Sequence, residues 1–263
     1  MGYLRLGRRY NEWMYRVRGE VFDRVVGRLN SGNSEQSTVN RKSPRQPATG
    51  KEWVGKDVLD VGAGTGFYAE RWLKLGAQVV GLDLTEVAVQ ELARRFPSAR
   101  FLQADIGQPL EEIPLRAASF HAISAFDVLF HIVDDADYAQ AFRNVAGLLR
   151  PGGWFLWSDT FLRHPTERIA HQANRPLAES QRLAEVAGLE IVDRVPMFVV
   201  MNYPADTTSR LARRAWTALV APAMLAEPLG WLAGALLYPL ERVLVRLVRE
   251  SPSTELMVCR KPR

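Results

Sequence analysis

Short apolar runs alternate with longer amphipathic ones over most of this chain. Asp57–Val61, Gln78–Asp83, Ala99–Gln103, His121–Ala125, Gly153–Asp159 and Glu190–Val200 read as buried strands. Between them, Gly66–Leu75, Thr85–Phe96, Tyr138–Leu149 and Glu179–Ala187 carry apolar residues at helical spacing. Leu256–Cys259 supplies one last short apolar run. Strands that alternate with helices predict an α/β fold, here a doubly wound, mostly parallel seven-stranded sheet with helices on both faces. Ligands of such sheets sit beyond the carboxyl ends of the strands.

Two flanking pieces depart from this rhythm. Residues 1–30 form an N-terminal helical cap, with a helix from Tyr3 to Leu29. Trp13, Val17, Val21, Phe22, Val25 and Leu29 recur there at spacings of three or four, with arginines between them. The segment from Ser31 to Gly50 is rich in Ser, Asn, Gln, Gly and Pro and has almost nothing to bury, so it reads as a mobile loop. Residues 51–203 and 251–263 make up the α/β domain. Pro204 to Glu250 is an apolar and basic helical insertion before the last strand. Pro222, Pro228 and Pro239 break it, so neither half offers the roughly 20 uninterrupted apolar residues of a membrane span. After Pro239, Leu240, Val243, Leu244, Leu247 and Val248 share one helical face and Arg242, Arg246 and Arg249 the other. The insertion fits a lid over a substrate pocket, a membrane-surface contact or an oligomer contact.

Composition narrows the class. With 47% hydrophobic and 24% charged residues, the chain has the balance of an ordinary globular protein. Its single cysteine, Cys259, excludes an internal disulfide and a cysteine-based zinc site. No apolar stretch near Met1 suits a signal peptide, which predicts a cytoplasmic protein, with the inner face of the membrane as a peripheral option. Residues 1–50 carry a net charge of +6, residues 51–203 of −5 and residues 204–263 of +4. The acidic core argues against nucleic acid, and the basic flanks suit an anionic partner.

The densest chemistry lies in Val58-Leu59-Asp60-Val61-Gly62-Ala63-Gly64-Thr65-Gly66-Phe67 and Val79-Val80-Gly81-Leu82-Asp83-Leu84. A buried strand enters a bend where glycines let a ligand reach backbone, and the next buried strand ends on a carboxylate suited to a ribose. A dinucleotide fingerprint would need a third glycine where Phe67 stands. Asp60, just before the bend, would repel a pyrophosphate but suits an ammonium group. The Asp-x-Gly-x-Gly-x-Gly pattern resembles motif I of the class I S-adenosylmethionine-dependent methyltransferases. Further matches follow in order: Asp83, then Phe101-Leu102-Gln103-Ala104-Asp105-Ile106, Val128-Leu129-Phe130-His131-Ile132, and Leu148-Leu149-Arg150-Pro151-Gly152-Gly153.

That resemblance implies the Rossmann-like methyltransferase fold, a last strand inserted antiparallel beside strand six, and S-adenosyl-L-methionine as cofactor. By matched motif, Asp60 would hold the methionine ammonium directly or through water. Backbone at Gly62, Ala63, Gly64 and Gly66 would line the methionine portion. Asp83 would accept from both ribose hydroxyls, with Leu84 against the adenine. Asp105 would take the adenine amine, the Ile106 N–H would donate to the ring, and Ala125 completes the set.

For the acceptor's proton, His131 is the first candidate base and Asp159 the second, with His164 beside it. The competing role for His131 is to cap the helix that begins around Asp134 to Tyr138. Asp127 and Asp159 are too few for a metal site, so none is assigned. His121 stands where many relatives carry an acid, a change the sequence leaves without an account. The expected reaction is methylation of a small-molecule, glycan or lipid-linked acceptor, most simply at oxygen. The oligomeric state is left open. Two other readings stand beside it, a methyltransferase-like binding protein without activity and an NAD-dependent oxidoreductase.

Overall fold

The computed structural model describes residues 6–29, 53–164 and 171–263. The start of the expected first helix at Tyr3, the expected loop from Ser31 to Gly50, and residues 51–52 lie outside the described residues. Helix α1 (Arg8–Leu29) precedes β1 (Asp57–Val61), α2 (Phe67–Lys74), β2 (Gln78–Asp83), α3 (Glu86–Arg95) and β3 (Arg100–Gln103). Then come β4 (Phe120–Phe126), α4 (Asp135–Leu148), β5 (Leu149–Asp159), α5 (Leu177–Val186), β6 (Glu190–Pro196), α6 (Arg210–Leu225), α7 (Glu227–Leu247) and β7 (Glu255–Arg260). The strands form one seven-stranded sheet in the order β3-β2-β1-β4-β5-β7-β6. All pairs are parallel except those of β7, which runs antiparallel between β5 and β6. The strand order reverses between β1 and β4, which puts the open crevice at their carboxyl ends.

Alternation along the strands builds two core layers. Val58, Ala122, Leu156 and Val258 face α1 and α2, where Phe22, Trp53 and Trp72 pack edge to face. Leu59, Ile123, Phe155, Trp157 and Cys259 face the other way, onto Tyr138 and Phe142 of α4 and Leu183 of α5. Burial in that layer pushes the Cys259 thiol up, so it stays a protonated packing group.

Four local expectations need correcting. Strand β6 ends at Pro196 rather than Val200, because the following backbone turns to other acceptors. Met197 and Phe198 donate to the Thr254 carbonyl, and Val199 and Val200 donate to the buried carboxylate of Glu241 at 2.6 and 2.9 Å. Helix α4 starts three residues before Tyr138, capped by Asp134, whose carboxylate accepts from the N–H groups of Ala136 and Asp137. The capping role considered for His131 therefore belongs to Asp134. The prolines of the insertion do not break it where expected. Pro222 and Pro239 lie inside α6 and α7, and the break falls at Ala226. Pro228 occupies the first turn of α7, where a missing N–H costs nothing. The lost bonds at the other two are offset by packing of the hairpin on α1, where Trp13 meets the rings of Trp231 and Tyr238.

His121 gains an account. Its Nδ1 accepts from the Asp57 N–H at 3.1 Å and Arg150 lies against its Nε2. Burial, then the Arg150 charge, lower its pKa and keep the ring neutral, as an acceptor must be. It ties the start of β1 to β4, at the end of the sheet away from the crevice.

Candidate functional site

The bend after β1 is shaped by contacts that only glycine permits. Gly62 has φ +66°, and a Cβ there would lie 2.3 Å from a methyl of Val128, which follows β4. Gly64 also has positive φ (+51°), but a Cβ there would meet only the Gly62 carbonyl oxygen, at 3.6 Å, and its backbone is exposed. The Ala63 N–H donates to the Leu82 carbonyl at 2.9 Å, and the Gly66 N–H closes the turn on the Ala63 carbonyl at 2.7 Å. Gly66 then leads straight into α2.

Asp83, at the tip of β2, is fastened to that bend. One carboxylate oxygen accepts from the Gly64 N–H at 2.9 Å. The other accepts from both the N–H and the hydroxyl of Thr85, each at 3.0 Å. Leu84 beside it is 60% exposed, an apolar side chain standing in the open at the edge of the crevice. At the end of β3, Asp105 uses one oxygen to accept from the Gly107 N–H at 2.8 Å and has the other available. The Ile106 side chain is buried. Its carbonyl, with that of Gln108, is held by the side-chain amide of Asn144 on α4. Asn144 escaped the sequence reading. A buried amide in the middle of an otherwise apolar helical face is the only signal it gives.

Asp60 behaves differently from Asp83. It is 2% exposed. Its carboxylate accepts from the Ser124 hydroxyl at 2.7 Å, which in turn accepts from the Trp72 indole N–H at 3.0 Å. Burial pushes its pKa up to about 7, against the smaller opposing effect of hydrogen bonds from Ser124 and the Ala69 backbone. These contacts run inward, locking β1, β4 and α2 together rather than reaching into the crevice. Ala125 requires a correction: it is 0% exposed within β4 and presents nothing to a ligand.

The other half of the crevice edge lies beyond β4 and β5. Asp127 has φ +54°, a strained conformation for a side-chain-bearing residue. Its carboxylate accepts from the Ser158 hydroxyl at 2.7 Å, while its N–H donates to the same Ser158 oxygen at 2.9 Å. The second carboxylate oxygen is ion-paired with Arg18, which reaches in from α1 and is itself buried. Arg18 also lies over the Phe198 ring. Asp159 is 3% exposed, its carboxylate accepting from the Thr160 N–H at 2.6 Å. Burial, with help from the Asp127 charge, pushes its pKa up to about 7. A group sealed in this way does not meet an incoming acceptor, so Asp159 is withdrawn as a candidate base. His131 is exposed, with Nδ1 3.2 Å from the His171 carbonyl. His164 instead lies near the Asp206 carboxylate, at 3.7 Å.

Arg175, fully buried, organises the segment after β4. It donates to the Ile132 carbonyl and to the Asp135 carboxylate, and covers the Tyr138 ring. The sequence offered no sign of this role, because arginine is ordinarily a surface residue.

Residues 58–153 match a family model described as a methyltransferase domain. Those residues form a methyltransferase domain. A Mycolicibacterium smegmatis protein named a probable S-adenosylmethionine-dependent methyltransferase is 33% identical over 152 residues, covering 55% of this chain and 56% of the relative. A ubiquinone biosynthesis O-methyltransferase of Albidiferax ferrireducens is 32% identical over 126 residues, covering 43% and 47%. The chain thus spans about half the length of these curated relatives. Among solved structures, the cyclase SpnF superposes with a TM-score of 0.53 at 20% identity, over 93% of this chain and 94% of that one. That likeness concerns the fold. In this methyltransferase domain the place a dinucleotide fingerprint reserves for glycine holds Phe67, packed on Tyr15 of α1 with ring centroids 4.8 Å apart. The NAD reading is thereby set aside.

Proposed function

We propose that the protein transfers the methyl group of S-adenosyl-L-methionine to the oxygen of a small-molecule or lipid-linked acceptor. The observation that carries this reading is the Asp83 carboxylate fastened to the Gly64 N–H, because it joins a diol-binding acid to a backbone bend open to the crevice. A carboxylate has about four acceptor sites, and three are used here, by Gly64 and twice by Thr85. Two ribose hydroxyls therefore need one existing contact to yield. The Thr85 hydroxyl, exposed and free to rotate, yields at least cost. Leu84 then covers one adenine face and the second oxygen of Asp105 takes the amine. Asp60 supports the bend from behind and leaves the ammonium to backbone or water.

The bound sulfonium supplies an activated methyl group and its own leaving group. When bound, it would pass that methyl group to the acceptor oxygen and keep the electron pair of the broken carbon–sulfur bond, while Asp83, Leu84 and Asp105 would hold the nucleoside. What this chain contributes is alignment, exclusion of water and a place for the acceptor's proton. Of the side chains first considered as bases, His131 is the exposed one. A phenolic or enolic oxygen, which gives up its proton readily, suits a crevice so sparing in bases. The O-methyltransferase name of the Albidiferax ferrireducens relative supports oxygen as the target.

Calorimetry with S-adenosylmethionine and with NAD tests the cofactor assignment. Binding of the first alone is expected, weakened at least about tenfold by Asp83→Ala, since a charge-assisted hydrogen bond contributes about 1.5–3 kcal/mol. Equal binding by wild type and variant would sink the assignment. Transfer of a labelled methyl group into lipid extract or into the water-soluble pool then distinguishes the acceptor classes.

A further inference from the structure

The hairpin of α6 and α7 packs on α1 by one face only. Gly230, Gly234, Leu237, Glu241 and Val245 of α7 turn inward, and Gly234 leaves no room for a Cβ against Trp13. The opposite side of α7 carries Leu229, Leu232, Leu236, Leu240, Val243 and Leu247, all exposed and spaced by three or four. At 100° per residue these positions fall on one line along the outer surface of the helix. Leu236 is 70% exposed, and nothing in the fold requires that stripe to be apolar.

Exposed charge beside the stripe is mainly cationic, with Arg242 paired to Glu20 of α1 and Glu250 exposed just beyond α7. The acids of the two helices are Glu227 and Glu241. Glu227 accepts from the backbone N–H groups of Arg8 and Arg9, each at 2.8 Å, and so caps α1. Glu241 is buried. Arg210, Arg214, Arg242 and Arg246 of the same helices are exposed, as is Arg249 just beyond α7. The outward surface is thus apolar along its length and cationic at its flanks.

We propose that this face docks on an anionic lipid bilayer, α7 lying in the plane with its leucines at the acyl boundary and its arginines among the phosphates. It rests on the surface rather than crossing, since among the described residues no helix is long and apolar enough to span a membrane. A second copy of the chain fits less well: the two helices offer it one exposed carboxylate, Glu227, against four exposed arginines, Arg210, Arg214, Arg242 and Arg246. A bilayer satisfies the stripe and the arginines at once. The proposal needs neither methyl donor nor acceptor and stands apart from the catalytic reading.

The test is co-sedimentation of the full chain with vesicles of phosphatidylcholine alone or mixed with phosphatidylglycerol. Binding is expected to the mixed vesicles, accompanied by a blue shift from Trp231, which is 45% exposed. Leu232→Glu with Leu236→Glu should lower partition by about tenfold or more, because each removes an apolar side chain from the contact. Arg246→Gln and Arg249→Gln should each lower it roughly fivefold, as should added salt in kind. All four positions are exposed, so unchanged circular dichroism confirms that the variants fold. Wild type that fails to sediment with the anionic vesicles overturns the proposal, and so does sedimentation that both sets of variants leave untouched. Velocity sedimentation showing a dimer dissolved by the leucine variants, without vesicle binding, overturns it in favour of a contact between copies.

Discussion

The two halves of the crevice are made in opposite ways. On the side of β1, β2 and β3, every polar contact of Asp83 and Asp105 comes from within a few residues of a strand tip or from the neighbouring bend. On the side of β4 and β5, Asp127 is held by Arg18, more than a hundred residues away in sequence. Arg18 lies over Phe198, and the strap after Phe198 is held by Glu241 of α7, by the Tyr10 hydroxyl on the Met201 carbonyl and by the Trp216 indole on the Val200 carbonyl. One half is local and the other is a relay between the two ends of the chain. The contrast suits a domain that keeps one cofactor and adapts its flanks to a particular acceptor.

The largest expected effect comes from cutting that relay. Glu241→Ala removes the acceptor of the Val199, Val200 and Met201 N–H groups together. About 1 kcal/mol for each stranded donor makes a loss of about 3 kcal/mol in denaturant melts. In the folded fraction, affinity for S-adenosylmethionine should stay within about threefold, because Asp83 and the bend take nothing from α7. Parallel collapse of stability and cofactor affinity would show that the halves are one unit. Glu241→Gln, which keeps one acceptor oxygen, should fall between wild type and Glu241→Ala.

The same contrast explains what was legible in the sequence. The sheet, its order of helices and strands, and the bend with Asp83 were written in contiguous residues whose spacing has a local cause. The end of β6 was misread because Val199 and Val200 look like more strand, and only Glu241, far along the chain, says otherwise. Asp159 and Ala125 were misplaced because a motif position gives a location along a strand but not the depth of a side chain. Arg18, Asn144 and Arg175 were invisible: each is a common surface residue type whose burial depends on a distant partner.

Asp60 sharpens the comparison, since it sits in the local motif yet faces the interior. Burial raises its pKa from 3.8 to about 7. Between those values the folded chain holds a proton that the unfolded chain has released, so this group's contribution to stability falls as pH rises and levels off above about 7. Asn at the same position does not titrate. The stability difference between Asp60→Asn and wild type should therefore shift in favour of the variant as pH rises from 4 to 7, and level off by pH 8. Melts across that range read the shift directly. A difference independent of pH would mean that Asp60 is ionised in the fold and turned toward solvent, restoring its assignment to the ammonium.

The smallest effect isolates the local half. Leu84 is already 60% exposed, so Leu84→Ala removes little from the folded core, and the melting temperature should not move. Bound adenine would cover that side chain, and losing the contact costs about 1 kcal/mol, a roughly fivefold weaker affinity for S-adenosylmethionine. The acceptor's KM should be unchanged, because β2, which leads into Leu84, is separated from β4 and Asp127 by β1 in the sheet. A variant that binds cofactor normally but loses acceptor would move the adenine away from β2, and with it the division between a local cofactor half and a relayed acceptor half.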